Sequence, residues 1–250
     1  MYSLSIVIPA FNEECRLEAT LDKVDAFIRA ADWNAEIIVV DDGSTDGTSR
    51  LVTRHMQQKP HLRLLQNHIN RGKGFSIRRG VEAALGDVIL LSDADLSVPM
   101  SEAPKLLKAI EHGADIAIGS RGVQAGGACA AAPWHRRLCS AGFKMVVQSV
   151  LGLRFEDTQC GFKAFKRKAA RLTFSRQRIE RWGFDPELLF LAEKNGFKVV
   201  EIPVQWAHDE NSTISPVRDG MRMFFEVLKI RWNSMTGAYA VQPDSRASSS

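Results

Sequence analysis

Two aspartates one residue apart, Asp93-Ala94-Asp95, follow the apolar run Val88–Leu91. If that run is a strand, carboxylates at i and i+2 leave its end together and can share one Mg2+ or Mn2+ with the oxygens of a diphosphate. A metal there offsets the charge of a departing nucleotide diphosphate. The plainer use of the same residues is an Asp-rich cap at a helix start. A second acidic segment reads Asp41-Asp42-Gly43-Ser44-Thr45-Asp46-Gly47-Thr48. Its glycines permit a tight turn, and the Asp42 carboxylate can accept hydrogen bonds from a base or from ribose hydroxyls. Ser44, Thr45 and Asp46 read better as turn and helix-cap residues. Asn70-Arg71-Gly72-Lys73-Gly74 offers backbone N–H groups, a helix N-terminus and the Lys73 cation, which is anion-binding chemistry. It lacks the Walker spacing, and no G-x-G-x-x-G opens a first helix, which argues against a P-loop enzyme and a dinucleotide oxidoreductase.

The elements that must position these residues alternate. Short β-branched runs at Ser5–Pro9, Glu36–Asp41, Leu62–Gln66, Val88–Ser92 and Ile116–Gly119 are separated by helix-period segments near 17–31, 48–58, 75–84 and 105–112. That rhythm predicts a mostly parallel sheet with helices on both faces, an α/β fold. In such sheets ligands bind beyond the carboxyl ends of the strands. Four strand ends here are polar in register: Asn12-Glu13, Asp41–Ser44, Asp93–Asp95 and Ser120-Arg121. One polar end is a cap; four in register point to a site.

The chain has 250 residues and a formal charge of +4, which suits one mixed domain and gives no basic stripe for nucleic acid. Cys15, Cys129, Cys139 and Cys160 lack zinc-type spacing, so reduced thiols and a cytoplasmic setting are expected. No signal peptide is evident and no apolar run reaches the ~20 residues that span a bilayer, so membrane contact is expected to be peripheral, on the cytoplasmic face. One catalytic domain is expected over 1–236, with a nucleotide-binding half to 121, an acceptor half from 122 and a small-residue loop at Gly122–Ala132. Residues 237–250 are expected to form a flexible tail.

SIVIPAFNE, IIVVDDGSTDGT, NRGKG, DVILLSDADLS and IAIGSR, in that order, resemble the nucleotide-diphospho-sugar transferase (GT-A) fold of glycosyltransferase family 2. Asp157–Lys163, Arg181–Leu189 and Glu201–Trp206 further resemble its dolichyl-phosphate β-glucosyltransferase branch, and the similarity runs from Ser3 to about Trp232. By position, the resemblance implies that Pro9, Phe11, Glu13 and Asp42 line a nucleotide pocket. It implies that Asp93, Ala94 and Asp95 meet diphosphate and metal, and that Arg121 faces a sugar phosphate or acceptor phosphate, with Lys163 a further phosphate partner. Thr213 stands where relatives often carry lysine. The donor it implies is UDP-glucose, with GDP-mannose the alternative, and the acceptor is a polyprenyl phosphate.

A phosphate-monoester acceptor needs no general base, because it already carries negative charge; inverting transfer then requires cations to hold two repelling phosphates in line. Arg121, Arg136, Arg137 and Lys163 are the candidates. If the acceptor is a sugar hydroxyl, Asp185 is the candidate base, although Asp before Pro186 also reads as a helix N-cap. Retained Asp93, Asp95 and Arg121 speak against an inactive sugar-nucleotide-binding protein. In Arg218–Trp232 a helical period separates Met221, Phe224, Leu228 and Trp232 from Met223, Val227 and Ile230, with Arg218, Arg222 and Lys229 between. His135–Gly152 has a similar mixture. Both segments suit a bilayer surface, or a contact in a homo-oligomer.

Overall fold

The computed structural model describes residues 3–121, 134–207 and 216–240, excepting the side chains of 134–141 and 216–220. Strands β1 (Leu4–Ala10), β2 (Ala35–Asp41), β3 (Leu62–Gln66), β4 (Val88–Leu91), β5 (Ile116–Ser120), β6 (Lys163–Lys166) and β7 (Val199–Pro203) form one sheet in the order β3-β2-β1-β4-β6-β5-β7. All neighbours are parallel except β6, which runs antiparallel to both β4 and β5. The helices are α1 (Glu14–Ala30), α2 (Thr48–Met56), α3 (Lys73–Ala83), α4 (Ala103–Glu111), α5 (Trp134–Leu151), α6 (Arg167–Arg176), α7 (Phe184–Lys194) and α8 (Pro216–Met235).

The central strands read as unbroken apolar runs because both faces of the sheet are covered. Alternate residues serve opposite layers. Ile6, Ile8, Ile37, Val39 and Leu90 pack with Leu17 and Leu21 of α1, Leu51 of α2 and Leu106 of α4. Val7, Ile38, Val40, Ile89 and Leu91 pack with Ile77 of α3, Phe174 of α6, Leu188 of α7 and Val227 of α8. The periodicity-based elements thus recur within a few residues, and four elements join them that periodicity had not marked: β6, α6, β7 and the full length of α7.

The expected tail boundary at 237 is corrected. Tyr239 is buried and its hydroxyl donates to Glu187 Oε1 at 2.5 Å, so the folded body continues through the turn after α8. An aromatic ring with a buried acceptor for its hydroxyl overrides the small, polar composition around it. The loop at 122–132, Thr213 and the residues after 240 lie outside the described residues.

Candidate active site

The polar ends of β1, β2, β4 and β5 gather at one edge of the sheet. After β1 the chain turns through Asn12, whose φ of 57° is in the left-handed region that asparagine tolerates. Its amide N–H donates to Ser44 Oγ and its side-chain oxygen accepts from the Thr45 N–H, both at 2.9 Å. Asp46 Oδ1 accepts from the Thr48 N–H at 3.0 Å at the start of α2, and Asp41 accepts from Ser44 N–H and Ser49 Oγ. The turn part of the expectation for Ser44, Thr45 and Asp46 fits this geometry, whereas the cap part does not: the N-cap of α2 is Gly47, with no side-chain cap hydrogen bond. Phe11 is exposed, Pro9 is half-buried, and Glu13 pairs with Arg16 one turn along α1.

Asp42 has a second role, within the protein. Its Oδ1 accepts from Asn67 Nδ2 at 2.7 Å and from the Arg71 N–H at 3.0 Å, and its Oδ2 accepts from the Gly72 N–H at 2.7 Å. With three of about four acceptor positions filled, this buried carboxylate chiefly ties the Asn70–Gly74 loop to the end of β2. Gly72 is obligatory there: its φ is 111°, and an added Cβ would stand 2.7 Å from the Glu180 carbonyl oxygen.

That tether aims Lys73, the first residue of α3, across the site. Its Nζ lies 2.5 Å from Asp93 Oδ1 and 5.3 Å from the centroid of the Trp182 ring. Asp93 leaves β4, and the chain turns back at once, with the Leu96 N–H donating to the Asp93 carbonyl at 3.2 Å. Thr20 on α1 holds the Ala94 carbonyl at 2.6 Å. Asp95 is exposed, with Oδ1 accepting from the Ser97 N–H at 2.9 Å. Against Asp93 lies Gly161, where a Cβ would overlap the carboxylate. Burial by itself would raise the Asp93 pKa, but Lys73, aided by Lys163 and Arg121, holds the carboxyl below its usual range. Lys73 in turn is held above its ordinary value, because Asp93, Asp185 and Asp95 outweigh its desolvation.

Arg121 follows β5 and is clamped by Asp157: Nε to Oδ2 at 2.6 Å and Nη2 to Oδ1 at 2.9 Å. Asp157 is itself oriented by Glu201 of β7, whose Oε1 accepts the Asp157 N–H at 2.9 Å. Arg121 carries five N–H groups, so this fork leaves three of them uncommitted by the clamp. The clamp and the neighbouring acids overcome desolvation and keep the guanidinium charged, while Arg121 holds the Asp157 carboxyl below the usual range. Asp157 belongs to a motif quoted above, but sequence spacing offered no sign that it was the partner of Arg121.

Two expectations fail. Lys163 was expected at the acceptor phosphate, yet its side chain is 0% exposed, donating to Asp185 Oδ1 at 2.5 Å and to the Cys160 carbonyl. The cause is strand register. Lys163 pairs with Leu91 and Ile118, so it points with them into the layer under α7 rather than out of the site edge. Asp185 is correspondingly buried, neither free to serve as a base nor an N-cap. The cap position is Gly183, and Asp185 sits inside the first turn of α7, where burial, opposed by Lys163, pushes its pKa up. Arg136 and Arg137 fall on the first turn of α5, where side chains are outside the description.

Asp93 and Asp95 suit a hard divalent cation whose remaining ligands come from substrate phosphates and water. Among the described residues no group of three or more His, Cys, Asp or Glu forms a self-sufficient cage. Asp95 is the more available ligand, since Lys73 already engages Asp93.

Residues 5–173 match the sequence model of Glycosyl transferase family 2. The chain is 33% identical over 251 residues to dolichyl-phosphate beta-glucosyltransferase of Dictyostelium discoideum, covering 96% of this chain and 77% of that one. It is 35% identical over 252 residues to the Homo sapiens protein of the same name, covering 96% and 78%. Among solved structures, glucosyl-3-phosphoglycerate synthase of M. tuberculosis superposes with a TM-score of 0.65 at 21% identity, over 98% of this chain and 83% of that one. The same synthase with Mn2+, UDP-glucose and phosphoglyceric acid gives 0.63 at 21% identity, over 97% and 81%. At that identity the likeness establishes the GT-A fold alone.

Proposed function

Because the chain belongs to glycosyltransferase family 2, we propose that it transfers glucose, with inversion, from a nucleoside-diphosphate sugar to a polyprenyl phosphate at a membrane surface. The observation that carries the reading is the arrangement at the sheet edge, with acidic Asp93 and Asp95 after β4 and the clamped Arg121 after β5. A divalent cation held by Asp95 and Asp93 would supply charge neutralisation at the diphosphate. Lys73 fixes the Asp93 carboxylate, the turn at Leu96 presents Asp95 outward, and the uncommitted N–H groups of Arg121 are available to a phosphate oxygen. Pro9, Phe11 and Glu13 would border the nucleotide, and Ala94, buried and held through its carbonyl by Thr20, fixes the backbone between the two carboxylates. UDP-glucose is the preferred donor, matching the glucosyl transfer named for the relatives.

The phosphate acceptor is favoured over a sugar hydroxyl by the burial of Asp185. A hydroxyl acceptor wants a base within hydrogen-bond reach, and the one candidate the sequence offered is sealed against Lys163. A phosphate oxygen attacks the anomeric carbon without one, while the bond to the nucleoside diphosphate breaks. Among the described residues no helix is long and apolar enough to cross a membrane, and a lipid acceptor calls for a contact with the bilayer surface. The outward face of α8, with Met221, Phe224, Phe225, Leu228 and Trp232 all exposed while Val227 and Ile230 are buried, suits that contact.

The test is release of nucleoside diphosphate from UDP-glucose and from GDP-mannose, with Mg2+ or Mn2+, with and without polyprenyl phosphate in detergent. Strong stimulation of UDP-glucose turnover by the lipid, lost in Asp95→Ala, is expected. Turnover on a soluble sugar and none on lipid phosphate would overturn the proposal.

A further inference from the structure

A cavity of about 480 Å³ opens between the Asn70-Arg71 loop, the segment 178–181 and α8. It is lined by five cationic side chains, Arg71, Arg178, Arg181, Arg222 and Lys229, against two carboxylates, Glu180 and Glu226. Both carboxylates are already engaged at the cavity wall. Glu180 pairs with Arg71 at 2.6 Å, and Glu226 accepts the Gly183 N–H at 2.8 Å while lying 3.8 Å from Arg222. Among the described residues Arg181 and Lys229 have no ion-pair partner. Two carboxylates answer only part of the charge of five cations, and Glu226 is shared electrostatically among Arg222, Lys229 and Arg181; the surplus that converges in this concavity is a site for a multiply charged anion.

The position of the cavity identifies the anion's source. Lys229 and Arg222 line it from α8, and at 100° per residue they lie immediately beside the exposed row Met221, Phe225, Leu228 and Trp232. A helix whose apolar row enters a bilayer carries the neighbouring positions to the depth of the headgroups. We propose that this cavity binds the phosphate headgroup of an anionic phospholipid when α8 lies on the membrane, a binding site separate from Asp93 and Asp95. The proposal rests on the membrane half of the function above. Its consequence is that the enzyme prefers anionic bilayers and sits on them in one rotational setting of α8, which holds the sheet-edge site in a constant relation to the surface.

The experiment compares cosedimentation with vesicles of phosphatidylcholine alone and of phosphatidylcholine mixed with phosphatidylglycerol. The full chain is compared with R222Q/K229Q and with R50Q/K108Q, which removes equal charge from α2 and α4 on the other face of the sheet. At roughly five-fold per cation at an anionic surface, R222Q/K229Q binds the mixed vesicles about 25-fold more weakly. Its binding to phosphatidylcholine is unchanged, and R50Q/K108Q keeps most of its affinity. Equal losses in the two double variants would reduce the effect to net charge and overturn the site, as would wild-type binding by R222Q/K229Q. Nucleoside diphosphate release in detergent is followed in parallel. If the vesicle difference fails while lipid-stimulated turnover persists, only the headgroup site falls; if turnover is absent while the vesicle difference holds, it is the transferase reading that falls.

Discussion

Removing the Asp185 carboxylate separates a structural from a catalytic role for this residue. In Asp185→Ala the Lys163 ammonium, with side-chain exposure of 0%, stays at the centre of the fold with the Cys160 carbonyl as its one remaining acceptor among the described residues. Stripping one partner from a buried pair of this kind costs about 3–5 kcal/mol. For a chain of this size that lowers Tm by about 6–20 °C, from a total stability of roughly 5–15 kcal/mol. Lys163→Met should behave differently with pH. It leaves a carboxyl whose folded pKa is already raised by burial, so the variant can bind a proton instead of an isolated charge. A raised folded pKa contributes stability at low pH that is lost as pH rises through it, so Lys163→Met should be less impaired at pH 5 than at pH 8. Thermal and urea unfolding followed by circular dichroism read both effects, and Asp185→Asn, which keeps the side-chain shape, is used for turnover. An Asp185→Ala protein as stable as the parent, together with a folded Asp185→Asn protein devoid of turnover on polyprenyl phosphate, would refute the reasoning and restore Asp185 as a base.

Gly161→Ala should keep the fold yet lose activity, because the new Cβ displaces the Asp93 carboxylate. A misplacement of that order costs about 100-fold in kcat, with an unchanged circular dichroism spectrum as the control. Asp157→Asn releases the Arg121 fork, and with Arg121 partly in solvent the stability loss should be only about 1 kcal/mol at pH 7, while KM for the lipid acceptor rises. Since Arg121 depresses the Asp157 pKa, the parent's advantage exists above the unfolded carboxyl value, near 3.9, and disappears as pH falls through the folded one. Tm measured from pH 7 down to pH 3 should therefore converge for parent and variant at the acid end.

Local pattern was enough for the strands and strand ends up to Arg121. Val88–Leu91 and Glu36–Asp41 are apolar because both faces of those strands are covered, and polarity returns where the strands emerge, so Asp93, Asp95 and Arg121 could be placed at one edge without coordinates. The part of the chain after Arg121 was less legible. Lys163–Lys166 is a four-residue strand, too short for a periodic signal, and its antiparallel insertion between β4 and β5 depends on partners 72 and 45 residues away, at Leu91 and Ile118. Motif reading placed Lys163 at a phosphate; register turned it inward.

What the sequence by itself determined is the class of chemistry, since paired carboxylates at a strand end and an arginine at the next demand little more than a parallel sheet to bring them together. What tertiary structure alone decided is which charges stay available. Asp42 was spent on the Asn70–Gly74 loop, Lys163 and Asp185 on each other, and Asp157 on Arg121, whereas Arg181, Arg222 and Lys229 were left facing an open cavity. A charged side chain is desolvated or solvated according to what packs over it, and that depends on contacts between segments far apart in the chain.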